Sequence, residues 1–372
     1  VGGGNNRTAI YRYDYANDNT NLVQKGPLST AKYWFSANGN QNYGYFNSAV
    51  VSWTSSYTSI VDRIDYANDT ATASPKGTLS VSDVYEAGMN SATGNADYSW
   101  IGGGFNKSIV NRIDYSNDTA QASLRGPLVD NQAFKGSTGN HSYGYFFGGQ
   151  NTRSVVDRID YSSDTSTASP KGPLSSNRYW QGGGGMGAAK NGNILTPVVA
   201  PVQPPFPYPV QLPAPIPPGP AYGYYAGGGP GSVPSSYNQR IDYASDTSTA
   251  LSKGKLTLET NSTGGVSSNS YGYIAGGNSG SDVSTVNRID YSNDSANAVA
   301  KGPITVARAG LNGIHNLDYG YLAGGWLPSI PGPISTIDRI DFASDSATAT
   351  PKGNAAYIVN GTSPIGNLSY GY

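Results

Sequence analysis

The sequence contains no cysteine, and it has only two histidines and two methionines. Without cysteine, neither a disulfide staple nor a thiolate metal site can form. Charged residues are also scarce, at 13% with a net charge of −1, so no excess of positive charge is available to neutralise a nucleic-acid backbone. The sequence has no apolar run of about 18 residues, the length that a membrane-spanning helix needs. We therefore predict no nucleic-acid partner and no membrane span.

Glycine (49 residues) and tyrosine (29 residues) are abundant instead. Stretches rich in Tyr and Thr that are broken by Gly and Asn-Asp turns are typical of β-strands. Apolar residues at helical spacing are scarce. The composition therefore indicates an all-β protein.

One string, close to Asp-Arg-Ile-Asp-Tyr-Ser-Asn-Asp-Thr, recurs along the chain. Its seven copies occupy residues 11–20, 62–70, 111–119, 157–165, 239–247, 287–295 and 338–346. Each copy is followed by a Thr- and Ala-rich stretch that ends in Lys-Gly or Arg-Gly. Most copies are preceded by Tyr-Gly-Tyr, usually with Gly-Gly after it. A fixed repeat of about fifty residues predicts a propeller or a solenoid.

The first copy lacks its Tyr-Gly-Tyr element, because it opens directly on Val-Gly-Gly-Gly. The missing element stands at the other end of the chain, at residues 370–372. An open solenoid has no reason to divide one repeat between its two ends, whereas a ring does, because a borrowed strand removes free sheet edges. The sequence therefore predicts a closed ring.

Each repeat is interpreted as four short strands. They are the Tyr-Gly-Tyr strand, the Arg-Ile-Asp-Tyr strand, the Thr/Ala stretch up to Lys-Gly, and the looser segment after it, such as residues 31–37 or 177–181. The predicted fold is all-β, a seven-bladed β-propeller closed by pairing of the N- and C-terminal strands. Residues 1–372 form one domain, with a Pro-rich insert at 191–220 between blades 4 and 5.

The pattern of Tyr, Gly-Gly and aromatic residues in every repeat resembles the kelch class of propellers. The repeat sequence YGYxxGG, followed by VDRIDYSNDTATASPKGPLS, is similar to that of repeat proteins that marine cyanophages encode as virion structural or tail-fibre-like components. This resemblance covers the whole chain except the insert. It implies a virion or extracellular setting.

Most charged side chains belong to the repeat. An arginine and an aspartate two positions later share one strand face, which should be buried between blades, so each charge needs a partner. We predict seven equivalent Arg–Asp pairs with a structural role: Arg12 and Asp14, Arg63 and Asp65, Arg112 and Asp114, Arg158 and Asp160, Arg240 and Asp242, Arg288 and Asp290, Arg339 and Asp341. The second set of aspartates, from Asp18 to Asp345, is predicted to bond backbone N–H groups within the turns.

The loops between the first two predicted strands differ in every repeat. They cover residues 5–8, 47–59, 105–108, 150–154, 230–238, 278–284 and 326–335. Variation on a constant scaffold is where recognition residues can be carried. The candidate contact residues are Trp53, Tyr57, Tyr237 and Trp326, although packing over the base of the loops is an equally good explanation for them.

The segment between Pro197 and Pro220 holds 11 of the 24 prolines of the chain. Proline at this density favours extended polyproline II structure and excludes a central strand. Because the segment also carries Phe206, Tyr208 and other apolar residues, we expect an arm that docks on a neighbouring virion or surface-assembly subunit, or on the propeller itself. A disordered loop is the alternative.

Kelch-type propellers include copper radical oxidases, whose sites need a cysteine cross-linked to tyrosine and a pair of histidines. This chain has no cysteine, and its two histidines are His141 and His315. No nucleophile–base or paired-carboxylate constellation stands out from the repeat. We therefore expect no enzyme, no cofactor and no metal. The predicted function is a virion structural or tail-fibre-like propeller that binds protein or host-surface glycan, and the alternative is a secreted or cell-surface bacterial adhesion module.

Overall fold

The computed structural model describes residues 8–19, 21–32, 35–47, 49–52, 56–81, 89–131, 133, 135–150, 153–174, 222–228, 233–243, 245, 247–327, 332–354 and 370–371. Short strands dominate these residues, with 3-10 turns at Tyr15–Asn17 and Tyr115–Asn117. In chain order the strands are β1 (Tyr11–Asp14), β2 (Val23–Gln24), β3 (Ala37–Gly39), β4 (Tyr43–Phe46), β5 (Ala49–Ser52), β6 (Ser56–Thr58), β7 (Asp62–Asp65), β8 (Ser74–Pro75), β9 (Asn90–Gly94), β10 (Tyr98–Gly103), β11 (Val110–Asp114), β12 (Ser123–Arg125), β13 (Gly136–Gly139), β14 (Tyr143–Phe147), β15 (Val156–Asp160), β16 (Ser169–Pro170), β17 (Tyr222–Ala226), β18 (Asn238–Asp242), β19 (Leu251–Lys253), β20 (Gly264–Ser267), β21 (Tyr271–Ala275), β22 (Val286–Asp290), β23 (Val299–Lys301), β24 (Asn312–His315), β25 (Tyr319–Ala323), β26 (Trp326–Leu327), β27 (Gly332–Pro333), β28 (Ile337–Asp341), β29 (Thr350–Pro351) and β30 (Tyr370–Gly371).

The strands form seven antiparallel blades, so the chain is a seven-bladed β-propeller. Blades 2, 3, 4, 6 and 7 show four strands each, in the orders β3-β4-β7-β8, β9-β10-β11-β12, β13-β14-β15-β16, β20-β21-β22-β23 and β24-β25-β28-β29. In blades 1 and 5 the described residues supply three strands, β30-β1-β2 and β17-β18-β19. We call the four strand positions of a blade inner, second, third and outer, counted from the propeller axis. Two small hairpins, β5-β6 and β26-β27, lie outside the blades.

The ring closes as predicted from the divided repeat. Strand β30 at the C-terminal end pairs with β1 at the N-terminal end, with Tyr13 opposite Gly371 and Asp14 opposite Tyr370. The Tyr370 ring lies under the guanidinium group of Arg12, 4.4 Å from its centre. The closing strand therefore occupies the same position as Tyr43 and Tyr98, which lie under Arg63 and Arg112.

The segment after each Lys-Gly was assigned to the wrong blade by the sequence pattern. Wherever the structure describes this segment, it crosses to the next blade and becomes the inner strand there, as β3 does by pairing with β4. Inner strands converge on the axis and contact one another, so they must be built from small residues. A Cβ atom on Gly313 of β24 would lie only 2.1 Å from the carbonyl oxygen of Gly265 in β20.

Aromatic side chains join neighbouring blades. In the six blades where both rings are described, the second aromatic residue of the second strand stacks on the aromatic residue after Arg-Ile-Asp in the next blade, with ring centres 3.8–5.1 Å apart. The stacked pairs are Tyr45 on Tyr115, Trp100 on Tyr161, Tyr145 on Tyr243, Tyr224 on Tyr291, Tyr273 on Phe342, and Tyr321 on Tyr15. Such stacks add to the stabilisation that comes from burying the rings.

The predicted Arg–Asp pairs within single strands were wrong. Six of the arginines bond the turn aspartate of the next blade instead, at 2.5–3.0 Å: Arg12 with Asp69, Arg63 with Asp118, Arg112 with Asp164, Arg240 with Asp294, Arg288 with Asp345, and Arg339 with Asp18. The equivalent partner position for Arg158, Asp246, lies outside the described residues. The long guanidinium group lies over the tyrosine ring and reaches the adjacent blade, where the turn carboxylate is nearly buried.

The strand aspartates have the role that was predicted for the turn aspartates. Asp14, Asp65, Asp114, Asp160, Asp290 and Asp341 accept a hydrogen bond from the backbone N–H two residues later. Each of these residues ends a strand, and a short carboxylate at a strand end satisfies the first N–H of the turn. Asp242 stands at the same strand end, and its backbone neighbour two residues on lies outside the described residues. The two sets of aspartates thus exchange the roles expected from the sequence.

Candidate binding face

One face of the propeller carries both the variable loops and the crossing connections. A variable loop joins the second and third strands of a blade, and a crossing connection joins an outer strand to the next inner strand. Backbone hydrogen bonds link the two, as from Asn47 N–H to the Ser36 carbonyl and from Gln150 N–H to the Ala133 carbonyl. We call this surface the variable-loop face.

Across blades 5 to 7 these segments form a continuous belt. Gly228 N–H and Ser235 N–H both donate to the Thr260 carbonyl, and Asn261 pairs with Asn278. Further round the ring, Gly310 N–H donates to the Ser262 carbonyl, and Ala309 pairs with Trp326. We call residues 233–237, 257–262, 277–283, 306–310 and 326–327 the loop belt. Its backbone groups bond to one another, so the fold holds the backbone of the belt in place.

Exposed apolar side chains are concentrated on this face. Seven of the twelve large apolar residues that are exposed among the described residues lie on it: Phe105, Val129, Val233, Tyr237, Leu258, Val306 and Trp326. Four others, Val23, Leu124, Leu251 and Val299, stand on outer strands, and Leu317 lies on the opposite face. Five of the seven, Val233, Tyr237, Leu258, Val306 and Trp326, lie on the loop belt.

The four candidate residues from the sequence have different environments. Tyr237 is 45% exposed and Trp326 is 41% exposed, both on the loop belt. Tyr57 lies in the β5-β6 hairpin and is partly buried. Trp53 lies outside the described residues, as does the Pro-rich segment from Pro197 to Pro220.

Two fully buried ion pairs support the loops, and sequence reasoning missed them. Lys32 Nζ lies 3.0 Å from Asp62 and donates to the Ile60 carbonyl at 2.7 Å. Arg308 lies 2.7 Å from Asp338 and donates to the carbonyls of Gly324 and Leu322. Burial lowers the pKa of Lys32 and of Arg308, because the interior disfavours a charge. The available signal was that both blades place Asp directly before the repeat arginine.

A third blade places its charges differently. Lys135 Nζ pairs with Asp130 at 3.0 Å, and the carboxylate of Asp157 accepts a hydrogen bond from Asp130 N–H. Burial raises the pKa of Asp157 to about 6, since the carboxylate is removed from water. Asn111 occupies the equivalent position in blade 3 and accepts a similar bond from Ser80 N–H.

No family model and no curated protein matches this sequence. Among solved structures the fold is similar to a fungal alcohol oxidase of the AA5 family in complex with copper, with a TM-score of 0.59 and 12% identity over 96% of this chain and 69% of that chain. A likeness at this identity shows the fold alone. Within the described residues, no helix is long and apolar enough to cross a membrane.

The comparison corrects the expectation that the chain is no enzyme. The solved structure with a similar propeller is itself an oxidase, so a propeller of this kind gives no ground for excluding catalysis. The copper belongs to that protein. His141 and His315 lie in blades 4 and 7, and no three His, Cys, Asp or Glu side chains gather to hold a metal in the part of the chain that the structure describes. These residues do not fit a copper centre, and we assign none.

Proposed function

We propose that this chain is a structural or tail-fibre-like component of a phage virion that binds a protein or a glycan at the host surface through its variable-loop face. The observation that carries the proposal is the uneven distribution of exposed apolar residues. Seven lie on that face and one on the opposite face among the described residues. Five of the seven lie on the loop belt, and clusters of exposed apolar residues often mark interaction sites.

The scaffold supports this assignment because it separates stability from recognition. The repeated Arg, Lys, Asp and Tyr residues bond blade to blade, away from the variable loops. A loop can therefore change in length and composition without removing an inter-blade bond. Loops on a rigid scaffold are where binding residues are usually carried.

We propose the biological setting from the amino-acid sequence of the repeat. YGYxxGG followed by DRIDYSNDT resembles cyanophage virion proteins, and it implies that the partners are other virion subunits and the host surface. Aromatic residues such as Trp326 and Tyr237 are enriched at the centres of protein interfaces, where they contribute much of the binding energy.

The test combines localisation with binding. Antibody labelling in electron micrographs of the phage should place the chain on the particle surface. The purified propeller should bind host cells, and Trp326→Ala or Tyr237→Ala should weaken that binding at least about tenfold if each is a hot spot. Leu317→Ala is the matched control, because Leu317 is at least as exposed and lies on the opposite face. Absence from the particle, or equal binding by all three variants, would contradict the proposal.

A further inference from the structure

Blade 5 carries a polar residue where every other blade carries an apolar one. Asn238 begins the third strand of blade 5. The equivalent residues are Ile or Val, and all are buried: Ile10, Val61, Val110, Val156, Val286 and Ile337. An amide in this position faces the packing between blades 5 and 6, so its polar atoms need partners.

Those partners are absent among the described residues. Asn238 is 1% exposed, and neither its Oδ1 nor its Nδ2 has a hydrogen-bond partner there. Thr260, which is also 1% exposed, has an unpartnered Oγ1. Burying unpaired polar atoms costs free energy, and several together in a native fold call for an explanation. Water or a ligand in this place would supply the missing bonds.

The packing between blades 6 and 7 shows which side chains the neighbouring pair of blades has at the same positions. Between blades 6 and 7, Val286 packs with Leu311 and Ile304. The equivalents between blades 5 and 6 are Asn238, Thr263 and Leu256, so a valine and a leucine have both become polar. In the same comparison the long side chain of Arg308 has become that of Thr260. We call the group formed by Asn238, Thr260 and Thr263 the blade 5–6 seam.

The contacts around two equivalent glycines show the same change. A Cβ atom on Gly276 would lie 2.5 Å from Cδ1 of Leu311. A Cβ atom on Gly227 would instead lie 3.5 Å from Oγ1 of Thr260 and 3.6 Å from Oγ1 of Thr263. Hydroxyl groups therefore occupy the seam where the next seam holds a leucine. The changes from leucine to Thr263 and from arginine to Thr260 both shorten the side chain.

The seam lies at the edge of the loop belt. Ser235 and Thr260 pair through their backbones, and Gly227 N–H donates to the carbonyl of Tyr237. Tyr237 directly precedes Asn238, and its side chain is exposed, as is that of Val233. A few polar groups beside an apolar or aromatic surface are the usual composition of a small-molecule site.

We infer that the blade 5–6 seam binds one unit of a neutral saccharide, with a hydroxyl or acetamido group on Asn238 and Thr260 and the sugar ring against Tyr237. The amide of Asn238 offers one acceptor and two donors, which matches a group that both donates and accepts. The seam residues are uncharged, and burying a charged group against them would be costly. This inference rests on the proposed function and names the ligand class for that face.

The experiment compares the full chain with Asn238→Val and with Asn238→Val/Thr263→Leu, which restore the residues of the neighbouring seam. Both variants should fold, and their melting temperatures should rise. Glucose, galactose, N-acetylglucosamine and N-acetylgalactosamine are tested one at a time by ligand-observed NMR. We expect at least one to bind the unmodified chain and to bind the variants at least about tenfold more weakly, the loss of one or two hydrogen bonds.

Three results would overturn the inference. If a sugar binds all variants equally, the seam is not the site, while the proposed function keeps its own test through Trp326. If none of the four sugars binds the unmodified chain, the seam holds only water. If Asn238→Val abolishes the binding of a host protein and leaves the binding of every sugar unchanged, the seam takes a peptide group instead.

Discussion

Arg339 of blade 7 bonds Asp18 of blade 1, 321 residues earlier in the chain, and this ion pair helps to close the ring. Lys352 and the hydroxyl group of Tyr321 converge on the same carboxylate. The same three-donor arrangement on a turn aspartate recurs between other blades. At this junction it joins the two ends of the chain.

Asp18→Ala should destabilise the protein more than Asp14→Ala, the matched control in the same blade. The first change leaves the partly buried charges of Arg339 and Lys352 without a partner, which costs about 3–5 kcal/mol. The second removes one exposed turn hydrogen bond, worth about 1 kcal/mol. Urea unfolding monitored by tyrosine and tryptophan fluorescence measures both. Equal losses would show that the bonds between blades are not the stabilising ones.

Deleting residues 370–372 should lower the melting temperature by at least about 5 °C, because a loss of a few kcal/mol shifts a large domain by that amount. The deletion removes β30, which pairs with one side of β1, and so exposes a sheet edge at which molecules can associate. Calorimetry and size-exclusion chromatography detect the two effects. Tyr370→Phe is the control, since it keeps the ring under Arg12 and should leave both unchanged.

Asp157→Asn should stabilise the protein at neutral pH. The pKa of Asp157 is about 6 in the fold, above the ordinary value of 3.8, so the folded state holds its proton more tightly than the unfolded state. The contribution of Asp157 to the free energy of unfolding is therefore most favourable below pH 4 and is lost as the pH rises to about 6. The gain on substitution should reach at most about 3 kcal/mol above pH 6 and vanish near pH 4.

Asp62→Asn provides the contrast to that prediction. Lys32 pairs directly with Asp62, whereas Lys135 pairs with Asp130 and not with Asp157. The change at Asp62 leaves a buried ammonium group without its carboxylate, so it should destabilise by about 3–5 kcal/mol. Unfolding free energies of both variants, measured from pH 4 to pH 8, test the distinction. A stabilising Asp62→Asn would contradict it.

Arg308→Thr should be strongly destabilising alone and much less so together with Asp338→Asn. The single change leaves the buried carboxylate of Asp338 without its partner. The double change reproduces the combination of Thr260 and Asn287 found in blade 6. Replacing both members of a buried pair is often nearly neutral, while removing one costs about 3–5 kcal/mol. A double-mutant cycle measures the coupling, which should be well above 1 kcal/mol.

Part of the candidate site followed from the sequence. The loops that vary between repeats lie on one face, and Tyr237 and Trp326 are exposed there. Leu258, Val306 and the unusual environment of Asn238 did not follow from it, because they depend on which crossing connection lies beside which loop. That neighbourhood is set by the packing of blade 5 on blade 6 and of blade 6 on blade 7.

The sequence by itself determined the number of blades and the closure, because each is a matter of repeat count and of where one repeat is divided, but it placed the fourth strand in the wrong blade. Only the tertiary structure decided the partners. Arg12 has an aspartate two residues away and another 57 residues away, and local pattern favours the near one. The distant Asp69 is the partner because the adjacent blade brings its carboxylate over the tyrosine ring that supports the guanidinium group, while the near Asp14 is engaged by the turn that it begins.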